Sequence, residues 1–358
     1  MSVDRRGFLT GTAATAAGVA AFAATGTPAR AENAPATGKF PLPDTDRLRI
    51  LLTGDAGTGE RPQWQVADGM REQHAREPFS LALGLGDNVY EHGLWSDDDA
   101  QFATKFEDPN HDLDFPWLMV QGNHDNSSIL PGDGGWLLRG DHEVAYHARS
   151  ARWFMPSRYY SVRIPEQQPV VEFFVLDLNP IAAYLPPLFQ PYWAADGQFM
   201  TEQAAWLDQA LDESPAKWKI ACTHHPYLNN GPHRNAGEYE GLSIEPINGR
   251  YVKDFFEAHV LGRCQFLLSG HDHSLQVLEP NAAAKGTRQI ISGAAAKSVH
   301  GEPYNAGGKH TVNGALYENY TDLGFMVLDL TPTSADLGVY TVDLSNGRSA
   351  NVFQRRLA

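Results

Sequence analysis

The stretch Ser80-Leu81-Ala82-Leu83-Gly84-Leu85-Gly86-Asp87-Asn88-Val89-Tyr90 is an apolar run that ends on a glycine and a carboxylate. Such a run suits a strand buried on both faces, and the polar residues after it then stand at the strand's carboxyl end. The arrangement recurs. Leu48–Thr53 precedes Gly54-Asp55-Ala56-Gly57, and Trp117–Gln121 precedes Gly122-Asn123-His124-Asp125. Trp218–Thr223 leads into Thr223-His224-His225-Pro226, and Gln265–Ser269 into Gly270-His271-Asp272-His273. Val170–Asp177 and Arg288–Ser292 are further strand-like runs. Helical patterns lie between them at Trp64–Arg76, Thr201–Leu211 and Tyr251–Val260; in the second, Ala204, Leu207 and Leu211 fall at i, i+3 and i+7. This alternation predicts an α/β architecture. Gly324–Leu330, Leu337–Asp343 and Val352–Arg355, with the hairpin signal Ser345-Asn346-Gly347, predict an antiparallel close. No repeat or composition break divides residues 47–358, which read as one domain.

In an open α/β sheet, ligands bind beyond the carboxyl ends of the strands, so motifs far apart in sequence can meet in one crevice. Here the inventory is Asp, Asp, Tyr, Asn and several His. These oxygen and nitrogen donors suit two hard or borderline ions such as Fe, Mn or Zn. Each motif alone is weak: Gly54-Asp55 is an ordinary turn and Asn123-His124 a capped one. Their order, each at a strand end, carries the signal. Gly54-Asp55-Ala56-Gly57-Thr58-Gly59 imitates a dinucleotide loop, but its glycine spacing is wrong and no Gly-Lys-Ser/Thr follows.

The 28 Lys+Arg and 43 Asp+Glu give a net charge of −15, which argues against a nucleic-acid binder as such. It does not exclude a small phosphorylated substrate, because a bound metal reverses the local field. The body of the chain has no apolar run of about 18 residues, hence no internal membrane span. Cys222 and Cys264 read as buried free thiols, with a disulfide between them as the alternative. At the N-terminus, Asp4-Arg5-Arg6-Gly7-Phe8-Leu9 precedes a weakly apolar stretch and Pro28-Ala29-Arg30-Ala31. Residues 1–31 thus resemble a twin-arginine signal peptide, against the alternative of an ordinary disordered or membrane-anchoring N-terminus. The resemblance implies the twin-arginine export machinery as a partner. It also implies a periplasmic or secreted protein starting near Glu32, with no stable membrane span after processing. Residues 32–46, rich in Pro, Ala and Thr, read as a linker.

The motif set resembles that of the calcineurin-like metallophosphoesterases. Gly86-Asp87-Asn88-Val89-Tyr90 carries the Gly-Asp-x-x-Tyr pattern that marks purple acid phosphatases. With Gly122-Asn123-His124-Asp125 and Gly270-His271-Asp272-His273-Ser274-Leu275-Gln276, it is similar to the small tartrate-resistant type. The likeness runs from about Arg47 to the C-terminus and includes Ile291-Ser292-Gly293-Ala294. It implies a four-layer α/β sandwich, two central mixed β-sheets flanked by helices, and a cofactor set of Fe(3+) plus a second divalent metal (Fe, Zn or Mn). Carried over by motif, Asp55, Tyr90 and His273 hold the ferric ion, Asp87 bridges, and Asn123, His224 and His271 hold the second ion. His224 is preferred to His225 because the family's ligand stands two residues before the proline; His225 is then a pocket or packing residue. His124 matches the family's histidine near the substrate phosphate. The implied reaction is phosphate monoester hydrolysis by metal-bound hydroxide, with His124 stabilising charge or protonating the leaving alkoxide.

Asn88, Asp125 and Asp272 either orient ligands or stabilise turns. A further family histidine follows His-x-Pro; here only His233 stands near, its register open. Asn126–Ser150, with Trp136, is longer and more glycine-rich than the family pattern and is either a lid or specificity loop or a surface insertion. His92 lines the pocket or is a solvated loop histidine. His74, His111, His142, His147, His259, His300 and His310 receive no role. Two other functions stay open: a phosphodiesterase or nucleotidase on the same scaffold, and a non-catalytic metal-binding or adhesion domain.

Overall fold

The computed structural model describes residues 39–182, 191–245, 247–299 and 312–358. Residues 1–31, read above as resembling a signal peptide, and His300 and His310 lie outside the described residues. Through the described chain run β1 (Leu48–Thr53), α1 (Arg61–Arg76), β2 (Leu81–Leu85), β3 (Trp117–Val120), α2 (Gly140–Tyr146), β4 (Trp153–Phe154), β5 (Tyr160–Ile164) and β6 (Val171–Val175). There follow α3 (Gln198–Glu213), β7 (Trp218–Cys222), α4 (Arg250–His259), β8 (Phe266–Ser269), β9 (Leu275–Leu278) and β10 (Arg288–Ser292). The chain closes with β11 (Ala315–Asn319), β12 (Gly324–Thr331), β13 (Ser334–Asp343) and β14 (Arg348–Arg356). Short single turns complete the loops.

The strands form two sheets of seven, ordered β14-β13-β12-β1-β2-β3-β4 and β11-β9-β10-β8-β7-β6-β5. Both are mixed. β1 to β4 run parallel and β12 joins β1 antiparallel. In the second sheet β6, β7, β8 and β10 are parallel, and β5 and β9 are antiparallel to their neighbours. Alternation along the strands builds the layers. Phe173, Ile220, Phe266 and Leu268 turn inward and join Ile50, Leu52 and Val120 in the core between the sheets. Phe174, Ala221 and Leu267 turn outward onto Leu207 and Leu211 of α3 and Val252 and Phe256 of α4. Helix α1 covers β12, β13 and β14 of the first sheet. The result is the four-layer sandwich with helices outside. Burial of each such Leu, Ile or Phe contributes about 1.5–3 kcal/mol, which is why the apolar runs dictate the layers.

The runs around the five motifs fold as strands within a residue or two of the expected bounds. Reading the sequence misses β4, β5, β9 and β11. β4 has two residues, β11 is a half-buried edge strand, and β9 interleaves Gln276 with its apolar residues. Such segments are made strands by their neighbours rather than by their own pattern. The hairpin signal folds as a turn, with Asn346 and Gly347 donating to the Asp343 carbonyl (3.1 and 2.8 Å) and Gly347 at φ +70°. Cys222 and Cys264 are buried and free, so the disulfide alternative is not adopted. Within the proline-rich stretch before the body, Lys39 Nζ donates to the carbonyls of Ser150 (2.7 Å) and Trp153 (3.2 Å). No helix among the described residues is long and apolar enough to cross a membrane.

Candidate metal centre

Each motif leaves the carboxyl end of a strand: Asp55 after β1, Asp87 and Tyr90 after β2, Asn123 and His124 after β3, His224 after β7, and His271 after β8. His273 stands just before β9. The structure brings the seven expected ligands together. The ligand atoms of Asp55, Asp87 and His273 lie within 4.8 Å of one another. Tyr90 Oη donates to Asp55 Oδ1 (3.1 Å) and stands 3.0 Å from His273 Nε2. On the other side of Asp87, Asn123 Oδ1 lies 2.9 Å from His224 Nε2 and 3.1 Å from His271 Nδ1. His224 Nε2 is also 3.3 Å from Asp87 Oδ1. Asp87 thus sits between two groups of donors.

The backbone is shaped to this convergence. Asp55, Asp87 and His271 all have left-handed φ, at 58°, 53° and 68°. That conformation costs L-residues about 1–2 kcal/mol each and is tolerated where function demands it. A Cβ on Gly122 would fall 2.1 Å from Asp87 Oδ1, and one on Gly270 would fall 2.4 Å from Asp55 Oδ2. Only glycine permits these approaches.

The donor chemistry fits metal ions. His224 Nδ1–H donates to the Leu85 carbonyl (2.8 Å), so Nε2 is the nitrogen that faces the centre and takes up either a metal or a proton there. Asn123 Nδ2 donates to the Gly132 carbonyl (2.9 Å), which turns its Oδ1 the same way. Lone pairs on Asn123 and Asp87 therefore face His224 Nε2 and His271 Nδ1, and a cation or protons must lie among these atoms. The electrostatics say the same. Burial raises the Asp87 carboxyl, but the imidazoles of His224 and His124 outweigh it and hold Asp87 far below the carboxylate range. Burial lowers His224, yet Asp87, its hydrogen bond and Asp55 carry it up to about 9. Burial, then Asp55 and Asp87, pushes the Tyr90 phenol well above its ordinary value. His271 is pushed well below its ordinary value by burial and the neighbouring imidazoles, leaving it neutral and able to donate a lone pair.

A second layer ties the loops together. Asp125 accepts N–H from Gly122 (2.7 Å), Val89 (2.8 Å) and Asn88 (3.2 Å), locking the Asp87 loop to the Asn123 loop. Burial and the Asp87 charge push it up to about 7. Asn88 Nδ2 donates to the Val120 carbonyl (2.8 Å). Asp272 accepts from Asn229 Nδ2 (2.8 Å) and Ser274 Oγ (2.7 Å). His225 is buried beside His271, ring centroids 4.5 Å apart, as a packing residue. His124 packs against Tyr90, ring centroids 4.4 Å apart and tilted by 58°; its backbone N–H donates to Asp87 Oδ1 (2.9 Å) and its Nδ1–H to the Glu91 carbonyl (2.8 Å). His233 packs against His271, ring centroids 4.4 Å apart and tilted by 36°, with its Nδ1 against Glu240 Oε1. The structure thus sets His233 at the centre's edge.

The 126–150 segment is not a detached surface insertion. Gly132 accepts from Asn123, and a Cβ there would fall 2.8 Å from His124 Nε2. The segment also sends Glu143 of α2 beneath the site, where Asn88 Nδ2 donates to it (3.2 Å). Trp136 and Trp95 stay exposed near Arg139, whose guanidinium lies 3.8 Å from the Trp95 ring centroid and 5.6 Å from that of Trp136. His92 is half-buried and offers Arg139 its carbonyl. Sequence reading missed Glu91, Gly132, Glu240 and Lys297. Glu91 directly follows the quoted Tyr90 motif, Lys297 stands three residues after Ile291–Ala294 and Gly132 lies in the glycine-rich 126–150 segment, all usable hints; Glu240 carries no local signal.

Comparison with known proteins agrees with this geometry. A family model described as calcineurin-like phosphoesterase matches residues 48–275. Purple acid phosphatase 4 of Arabidopsis thaliana is 27% identical over 311 residues, covering 84% of this chain and 82% of the relative. Tartrate-resistant acid phosphatase type 5 of Oryctolagus cuniculus is 27% identical over 330 residues, covering 87% and 91%. Among solved structures, GAP50, the anchor in the inner membrane complex of Plasmodium, superposes with TM-score 0.63 at 18% identity, covering 87% and 89%; it shares the fold.

Proposed function

Because the chain belongs to the calcineurin-like phosphoesterase family, we propose that it is a two-metal acid phosphatase of the purple type, acting on small phosphate monoesters. The observation that carries the finer reading is Tyr90, whose hydroxyl meets Asp55 and His273 at 3.1 and 3.0 Å. Asp55, Tyr90 and His273 would hold a ferric ion, Asn123, His224 and His271 a divalent one, and Asp87 both. When bound, such ions supply Lewis acidity, polarising phosphoryl oxygens and acidifying water. The chain's own groups do the rest. The Glu91 carbonyl takes the Nδ1–H of His124, which leaves Nε2 to exchange a proton with the leaving alkoxide. Glu240 raises His233 against the effect of burial, so the imidazolium form is available to attract a phosphate anion.

The test is hydrolysis of matched monoesters and diesters across pH, with metal analysis of the same sample. Monoester turnover lost in Asp87→Asn supports the reading. Diester preference would assign a phosphodiesterase instead. Full metal content with no hydrolysis of either class would assign a binding domain. We propose further that residues 1–31 direct export by the twin-arginine route. Intact mass of periplasmic or secreted material should begin near Glu32. Unprocessed cytoplasmic protein, unaffected by Arg5→Lys/Arg6→Lys, would refute it.

A further inference from the structure

Lys297 stands on the segment after β10, which is fastened to two ligand loops. Val299 N–H donates to the His273 carbonyl (3.0 Å) and Ala295 N–H to the Gly54 carbonyl (3.3 Å). Lys297 Nζ lies 3.9 Å from the centroid of the Tyr90 ring and 2.9 Å from Glu91 Oε1. The other Glu91 oxygen is 3.4 Å from His124 Nδ1. The lysine and His124 therefore share one carboxylate and one aromatic ring at the edge of the centre. Two other cations nearby are engaged elsewhere. Lys105 Nζ donates to Gln101 Oε1 (2.8 Å) and to the Tyr90 carbonyl, and Arg139 packs on the Trp95 ring and donates to the His92 carbonyl.

The Glu91 side chain is 48% exposed and that of Lys297 20%. The carboxylate side of the pair is half exposed and screened by water, so Glu91 can be exchanged for a more highly charged anion at modest cost. Above its second pKa of about 6, a phosphate monoester carries close to two charges and several strong acceptors, more than a carboxylate or a diester offers, so a selectivity resting on that charge belongs to that pH range. Building on the phosphatase reading above, we propose that Lys297 is a substrate-positioning residue. It leaves Glu91 to bind a non-bridging oxygen of a dianionic monoester, with Glu91 as the built-in competitor. The pair then favours dianionic monoesters over monoanionic diesters.

The test measures the Kd of inorganic phosphate by titration calorimetry on metal-loaded protein, alongside KM and kcat for an aryl monoester and its matched diester. Lys297→Gln should weaken phosphate binding and raise monoester KM by about tenfold, the loss of one charge-assisted contact. Monoester kcat and diester KM should change less. Lys297→Arg should restore binding. Glu91→Gln should act in the opposite sense and tighten phosphate binding. Unchanged phosphate affinity in folded, metal-loaded Lys297→Gln would overturn the proposal. So would weakening by Glu91→Gln, which would mark the pair as merely structural. The calorimetric readout does not depend on turnover. A wild type that binds phosphate but hydrolyses no monoester would refute the phosphatase reading while still testing Lys297.

Discussion

Replacing Tyr90 by Phe removes one oxygen from a fully enclosed ring. The side chain is buried, packs on His124 at 4.4 Å, and has Lys297 Nζ 3.9 Å from its centroid. Phe keeps all of this packing. What disappears is the donor to Asp55 Oδ1 at 3.1 Å and the contact with His273 Nε2 at 3.0 Å. Leaving a buried acceptor without its partner costs about 1–3 kcal/mol. Asp55 keeps the backbone N–H of His271 on its other oxygen (2.9 Å), so the lower part of that range is expected, a drop of a few degrees in Tm. The spectroscopic effect should be larger. Burial and the Asp55 and Asp87 carboxylates hold the phenol proton on at ordinary pH. The phenolate therefore needs a cation in the proton's place. A ferric ion there gives a phenolate-to-iron charge-transfer band in the visible. The iron-loaded wild type should be coloured and should bleach on chelation. Tyr90→Phe should be colourless at equal iron content while still melting cooperatively. The assay is visible absorption normalised to iron, with thermal melts on the same samples. A wild type with full iron and no band, or a Tyr90→Phe variant that keeps the band, would refute the ligand role.

His124→Ala should retain both metals and lose about 10²–10⁴ in kcat, less for leaving groups of low pKa; equal loss across leaving groups would reject the proton-transfer role. Gly132→Ala places a Cβ 2.8 Å from Asn123 Nδ2 and His124 Nε2 at φ +74°. It should cost about 1–2 kcal/mol and reduce turnover; unchanged melting and kinetics would show the loop to be loosely attached. Burial, then Lys39, holds His147 down to about 4, so the folded state resists its protonation. The unfolded chain binds that proton from about pH 6.5 downward, so stability present above pH 6.5 should fall as pH drops toward 4. His147→Gln should flatten that slope in melts between pH 4 and 7; an equal slope counts against it.

The central strands were legible because a strand buried on both faces must be written as an unbroken apolar run, as in Val171–Val175 and Leu81–Leu85. β9 and β11 were not, since edge and polar-interleaved strands owe their form to the partner beside them. The ligands were legible for a related reason. Metal sites demand particular residue types, and the turn at a strand end confines them to short motifs after each run. His225 could be set apart from His224 only by its distance from Pro226; in the folded chain, the Leu85 carbonyl on His224 Nδ1 aims His224 at the centre.

The sequence by itself determined the central strands and the three long helices in their order, the residue types at each strand end, and hence the class of chemistry. These are local properties, carried by periodicity and by the identity of neighbours along the chain. Only the tertiary structure decided which nitrogen of each histidine faces the centre, Nε2 for His224 and His273 but Nδ1 for His271. It also decided that Gly132 abuts Asn123, that Glu240 reaches His233, and that Lys297 pairs with Glu91 beside His124. The Lys297–Glu91 meeting joins segments 206 residues apart, while the other two fold single loops back over nine and seven residues. They are set by the order of strands in two sheets and by the path of each loop, and no pattern within a single segment encodes them.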